Sequence, residues 1–288
     1  MAAEQTGADN KLQKHSFDTM TADAMTADAM TADAMTADAM TADAMTADAM
    51  TADAMTADAM TADAMTADAI ASRLSTIRPR VPSSVKLIAV TKTFPSEIVR
   101  AAYAAGIRDF AENKVQESVE KQAQLADLTD VVWHFIGHIQ SNKSRKVVEH
   151  FDWIHSVDSL KLAARLDRHA AELGKQPTCC LQVKLAIDPT KDGFERADLL
   201  AAVPELDQLM HLNIVGLMVI APYGLSPAAT QKVFERGQDL ATEIKALTPN
   251  RLRMDELSMG MSGDFEWAIA AGATMIRLGS SLFGARQR

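Results

Sequence analysis

Val85-Lys-Leu-Ile-Ala-Val-Thr91, followed at once by Lys92 and Thr93, is a mostly apolar, β-branched run of strand length. Ser96 then opens a helix as its N-cap, with Glu97 behind it, and Gly106 closes that helix. The same alternation repeats down the chain. It predicts strands at 109–113, 131–137, 152–157, 178–185, 213–220, 256–260 and 275–279, with helical stretches between them such as 159–166 and 228–247. With 85–91 that makes eight strand–helix units. Apolar parallel strands joined by helices define an α/β protein, and eight units in about 200 residues fit a closed (β/α)8 barrel of the TIM type better than an open doubly wound sheet. Active sites of such barrels gather at the C-terminal strand ends, so the polar residues there carry the functional reading.

N-terminal to the first strand, residues 70–81 read as a helix cut short by Pro82. Before them, residues 20–69 are ten identical copies of Met-Thr-Ala-Asp-Ala. A five-residue period advances a helix by about 500°, so successive methionines fall about 140° apart and never line up as an apolar stripe. Such a low-complexity array has no face with which to pack. It predicts a disordered or isolated helical arm, residues 1–69, that is dispensable to the single barrel domain, 70–288. The formal net charge of −9 belongs to the arm: each copy carries one Asp, and without those ten the balance is +1. A near-neutral barrel offers no field for nucleic acid or a membrane surface. The leader, residues 1–19, lacks an apolar h-region, and no stretch reaches the ~18 apolar residues of a membrane span, so the cytoplasm is the expected compartment. Cys179 and Cys180 are adjacent; on a strand they point to opposite faces, as small buried residues and neither a disulfide nor a metal pair.

Lys92 stands at the barrel mouth, partly removed from water. Desolvation disfavours an ammonium, and a neutral amine is what imine chemistry requires; a plain surface lysine is the alternative reading. The second strand ends in Ala111-Glu112-Asn113. In Trp133-His-Phe-Ile-Gly-His-Ile-Gln-Ser-Asn-Lys143, alternation points His134 and Ile136 into the barrel and Phe135 out of it, with His138 on the rim. No third ligand is spaced to complete a zinc site, so these histidines are expected to form hydrogen bonds and no metal is expected. Leu257-Ser-Met-Gly-Met-Ser-Gly-Asp264 leads from the seventh strand into a helix expected to begin near Ser262, which can cap it. Gly279-Ser280-Ser281 follows the eighth strand. Barrels commonly bind phosphate between these two loops, and both are Gly/Ser-rich; a plain cap and a plain turn are the alternatives.

Taken in order, AVTK, AENKVQE, WHFIGHIQSNK, IHSVDS, KDGF, GLMVIAP, LSMGMSGDFEWAI and IRLGSSLFGAR resemble the pyridoxal 5′-phosphate (PLP)-binding homeostasis proteins, relatives of the N-terminal barrel of bacterial alanine racemase. The resemblance runs from about Ile70 to Arg288 and leaves the pentapeptide array outside. It implies that Lys92 holds PLP as a Schiff base, with Ser262, Gly279 and Ser280 on the phosphate and Met261 and Gly260 shaping that loop. It further implies that Arg277 faces the pyridine nitrogen and that Asn113 lines the cofactor's other side. Ala111 and Lys114 stand where the family commonly has glycine and tyrosine, so an aromatic closing the pocket at Lys114 is not expected.

A charged guanidinium beside the pyridine nitrogen opposes its protonation and makes the ring a poorer electron sink. Racemases on this barrel add a tyrosine base from a second domain, and no such domain is expected in a chain that ends nine residues after Gly279. The tyrosines are Tyr103, in the first barrel helix, and Tyr223, in the loop after the sixth strand. The expected role is therefore non-catalytic PLP binding in its homeostasis, by a monomer that meets PLP-accepting apoenzymes or a regulatory protein. The alternative is a PLP-dependent racemase working through Lys92 with Tyr223 or His134 as second base. A phosphosugar isomerase without PLP fails to explain Lys92 and Arg277 together.

Overall fold

The computed structural model describes residues 66–188, 191–247 and 250–284. The predicted arm lies outside these residues, apart from the last four of its fifty repeat positions. The strands are β1 Lys86–Val90, β2 Asp109–Glu112, β3 Val132–Phe135, β4 Trp153–Val157, β5 Thr178–Lys184, β6 Phe194–Glu195, β7 Asn213–Val219, β8 Glu256–Met261 and β9 Met275–Leu278. The helices are α1 Ala67–Ile77, α2 Ser96–Ala104, α3 Val115–Gln124, α4 Ser144–His150, α5 Leu160–Leu173, α6 Arg196–Leu206, α7 Pro227–Leu247, α8 Phe265–Ala270 and α9 Ser280–Phe283. Every strand pairing is parallel, and β9 returns to β1, so eight strands close a barrel. The two-residue β6, in the KDGF segment, stands outside that ring and extends the end of β5 through Val183 and Phe194. Its shortness hides it from periodicity.

Strand alternation sorts side chains into two cores. Leu87 and Ala89 join the large outer core beneath the helices, while Ile88 and Val90 point inward to Ala111, Cys180, Met218 and Met275. Phe135 goes outward and Ile136 inward, as expected. Cys179 and Cys180 are buried free thiols in the outer and inner core respectively.

Helix starts depart from the sequence expectation where capping chemistry was misassigned. The first helix begins inside the last repeat copy, because the Thr66 hydroxyl accepts the Ala69 N–H at 3.2 Å. It stops at Ile77 rather than at Pro82, since Pro79 has no N–H to continue the ladder and a 3-10 turn, Arg78–Arg80, follows. Ile70, Leu74 and Ile77 bury one face, and Arg73 donates to the Leu282 carbonyl at 3.0 Å, which ties α1 to α9. Pro95, not Ser96, is the cap residue of α2; the Ser96 hydroxyl instead donates to Gln124 Oε1 at 2.6 Å, joining α2 to α3. Among the described residues no helix is long and apolar enough to cross a membrane.

Candidate functional site

Lys92 is half-buried in a tight turn at the end of β1, where the Thr91 carbonyl accepts the Phe94 N–H at 3.1 Å. Thr93, the next residue, has φ +70°, a left-handed backbone that a β-branched residue rarely adopts. A strained residue persists only where its surroundings over-determine it. Here the anchor is a buried triad. The Thr91 hydroxyl donates to Glu112 Oε1 at 2.7 Å, and Lys121 Nζ donates both to that oxygen, at 2.5 Å, and to the Thr91 carbonyl, at 2.9 Å. Burial raises the Glu112 carboxyl, against the opposing pull of Lys121 and Thr91. Sequence reading passed over Lys121. Its signal was its place on the buried stripe of α3, in line with Val115 and Ser118.

At the end of β2 the Asn113 Oδ1 is buried without a hydrogen-bond partner. The loop after β3 presses on this point: a Cβ on Gly137 would lie 2.1 Å from the Asn113 carbonyl oxygen, so only glycine permits the approach. A cavity of about 390 Å³ opens there, lined by Asn113, Lys114, Gly137, His138 and Lys143 among others. Lys114 itself is exposed and pairs with Glu117 at 2.6 Å. His138 is on the rim as expected, its Nδ1 2.9 Å from Asp192 Oδ2 and 3.5 Å from Asp158 Oδ2. Those carboxylates come from distant loops, which is why sequence spacing did not reveal them.

Arg277 on β9 is buried, and its guanidinium is tightly held. Nη1 donates to the Ser258 carbonyl at 2.6 Å and the Ser258 hydroxyl at 2.7 Å, and Nη2 donates to the Val219 carbonyl at 3.1 Å. Burial pulls its pKa down to about 10, which still leaves a cation at neutral pH. Across the barrel interior, His155 Nδ1 lies 2.8 Å from the Ser258 hydroxyl, and its Nε2 lies 2.9 Å from His134 Nδ1. Tyr223 is fully exposed, and both ring nitrogens of His134 are engaged.

Between β8 and β9 the structure corrects the expected cap. Helix α8 starts at Phe265, not near Ser262, with Asp264 at its cap position accepting the Met261 N–H at 2.5 Å. Ser262 turns to the other loop. Its hydroxyl accepts the N–H groups of Gly279, at 3.3 Å, and Ser281, at 3.1 Å, at the start of α9. Ser281, named in the loop after the eighth strand but not among the residues the resemblance puts on the phosphate, thus meets Ser262 beside Gly279. Gly260 has φ +91°, and a Cβ there would lie 2.6 Å from that of Ala268, so it lets α8 pack against β8. Met261 is partly exposed at the mouth.

The alanine racemase N-terminal domain family matches residues 65–287. A pyridoxal phosphate homeostasis protein of Synechocystis sp. is 53% identical over 212 residues, covering 74% of this chain and 96% of that protein. Its counterpart in Escherichia coli K12 is 42% identical over 210 residues, covering 72% and 88%. Solved structures of PipY from Synechococcus elongatus, without PLP and with PLP bound, superpose with TM-scores of 0.73 and 0.72 at 57% and 55% identity, covering 75% of this chain and all of PipY. An alanine racemase of Clostridium difficile shares the fold alone, with a TM-score of 0.62 at 16% identity, covering 77% of this chain and 58% of the racemase. On the domain match and on these identities over nearly the whole of its relatives, the chain belongs to the pyridoxal phosphate homeostasis proteins of the alanine racemase N-terminal domain family.

Proposed function

We propose that this chain binds PLP on Lys92 and takes part in PLP homeostasis without catalytic turnover. What supports this reading is one convergence. The ends of β1, β8 and β9, neighbours in the barrel, carry an amine, an immobilised guanidinium and a pair of N–H donors gathered on one serine hydroxyl. The residues fit the cofactor. Asn113 Oδ1 is a buried acceptor with no partner of its own, and a Cβ on Gly279 would meet nothing closer than the Val90 carbonyl oxygen at 3.6 Å, so the cradle is open beside β1. Lys92 would hold the aldehyde carbon, and Ser262, Gly279, Ser280 and Ser281 would hold the phosphate. Arg277 would face the ring nitrogen, Asn113 the opposite edge, and Gly260 and Met261 would shape the phosphate loop. When bound, the cofactor supplies an electrophilic aldehyde to amines.

The chain's own residues argue against turnover. A cationic Arg277 disfavours a proton on the ring nitrogen, which weakens carbanion stabilisation. Neither candidate second base is available: Tyr223 points into solvent, and His134 is committed on both nitrogens. Purified protein is expected to gain a visible absorption band on adding PLP and to yield no D-alanine from L-alanine. Lys92-dependent racemisation would transfer the assignment to the enzyme. The buried free thiols of Cys179 and Cys180 suit a reducing cytoplasm.

The same reading keeps the pentapeptide arm out of the barrel's function. Because Thr66 caps α1, the dispensable segment ends at Met65. Deleting residues 20–65 is expected to leave PLP affinity and melting temperature unchanged. Replacing the cap itself, Thr66→Ala, is expected to cost about 1 kcal/mol, read as a lower melting temperature.

A further inference from the structure

The barrel interior, apolar in its usual form, is crossed here by a row of buried polar side chains that PLP binding on Lys92 does not itself require. Arg277 donates to the Ser258 hydroxyl, which meets His155 Nδ1; His155 Nε2 meets His134 Nδ1; and His134 Nε2 lies 3.0 Å from Asp109 Oδ1. Strands β4 and β8 are not paired in the sheet, so the Ser258–His155 bond spans the barrel. We propose that this is a one-way hydrogen-bond chain, Arg277 to Ser258 to His155 to His134 to Asp109, in which His155 and Asp109 are positioning residues for the Arg277 guanidinium.

The two ends set the direction. Guanidinium is donor-only, so the Ser258 oxygen must accept from Arg277. Among the described residues the remaining partner for the Ser258 O–H is His155 Nδ1, which must then be unprotonated. A neutral His155 therefore carries its proton on Nε2 and gives it to His134 Nδ1. His134 in turn carries its proton on Nε2 and gives it to Asp109. The reverse sense would leave the Ser258 O–H without an acceptor and would need a proton on the Asp109 carboxyl. Burial favours that proton, but the His134 bond and the nearby Lys86, 3.1 Å away, outweigh burial and hold Asp109 below its usual range.

Neutrality of the two rings follows from their surroundings. His155 is held well below the usual imidazole range by burial, then by His134, Arg277 and Lys86. His134 is lowered by burial against the opposing pull of Asp109. Trp153 stacks on His134, with centroids 5.6 Å apart, and its ring lies tilted 5.7 Å from that of His155, so both imidazoles pack against it. Among the described residues no carboxylate is hydrogen-bonded to Arg277, though the Asp264 carboxylate acts on it through space and opposes the effect of burial. The polarised chain is what connects that buried cation to the partly exposed carboxylate at the start of β2.

The effect on a bound pyridine ring rests on the PLP reading above; the chain itself does not. The test is nitrogen-15 NMR of the histidine and arginine side chains, in protein free of PLP, for wild type and Asp109→Asn. Both histidines are expected as neutral Nε2–H tautomers at pH 7, and Asp109→Asn is expected to move the His155 and Arg277 resonances. An Nδ1–H tautomer or a cationic ring at either histidine overturns the chain, and so do Arg277 resonances untouched by Asp109→Asn. In PLP-loaded protein, Asp109→Asn is expected to shift the pH midpoint of the visible band by about 0.5 unit or more. An unchanged midpoint with a normal band overturns the positioning role. No band in wild type would refute PLP binding while the NMR still decides the chain.

Discussion

Lys92→Ala gives a protein that melts within about 1 kcal/mol of wild type yet forms no borohydride-stable adduct with PLP. The substitution removes a half-buried side chain from a turn held by backbone bonds and by the Thr91–Glu112–Lys121 triad, so the barrel keeps its anchors. It also removes the amine at the end of β1. The contacts proposed for Arg277, Ser262 and Asn113 remain, so binding weakens rather than vanishing. We expect a loss of at least ~100-fold, or about 2.7 kcal/mol. The visible band disappears with the covalent link. In wild type, borohydride reduction followed by peptide mapping places the label on the peptide containing Lys92. Neighbouring amines are poor substitutes: Lys121 is committed to Glu112 and Thr91, and Lys114 to Glu117. A label on any other lysine, or an undiminished adduct in Lys92→Ala, would remove Lys92 from the site.

How much of this was legible in the sequence depends on how local the physics is. The eight barrel strands were legible as apolar runs of strand length, and a period of two gave the faces where it was applied, as for Phe135 and Ile136. Topology puts the polar strand-end residues at one end of the barrel, while the roles proposed for them came from the family resemblance. Capping was less legible. Ser262 has a hydroxyl suited to capping and a helix three residues on, but its partners come from the loop after β9. Nothing within the segment distinguishes the near helix from the distant one. The polar chain was hidden for the same reason: alternation pointed His134 inward, but only barrel closure brings β4 opposite β8 and places His155 against Ser258. Where a polar side chain stands at an inward position of a strand, a partner across the barrel is to be expected, since an unpaired buried group is costly.

The same cost makes Glu112 the position where a single change is expected to destabilise most. Glu112→Ala leaves the Lys121 ammonium, 7% exposed, with the Thr91 carbonyl as its remaining hydrogen-bond partner, and takes the acceptor from the Thr91 hydroxyl. Breaking a buried pair by removing one partner costs about 3–5 kcal/mol, which in a barrel of this size lowers the melting temperature by roughly 10 °C. A second variant separates charge burial from general damage. Adding Lys121→Met to Glu112→Leu removes both charges, and a buried pair replaced by apolar residues of similar volume is often near neutral, so most of the melting temperature returns. Capture of PLP does not return with it, because the Thr91 carbonyl and hydroxyl lose the two groups that brace the turn carrying Lys92. Thermal melts and borohydride trapping on the same preparations read the two effects apart. A double variant as unstable as Glu112→Ala would mean that shape rather than charge sets the cost, and full PLP capture by the stable double variant would mean that the Lys92 turn holds itself.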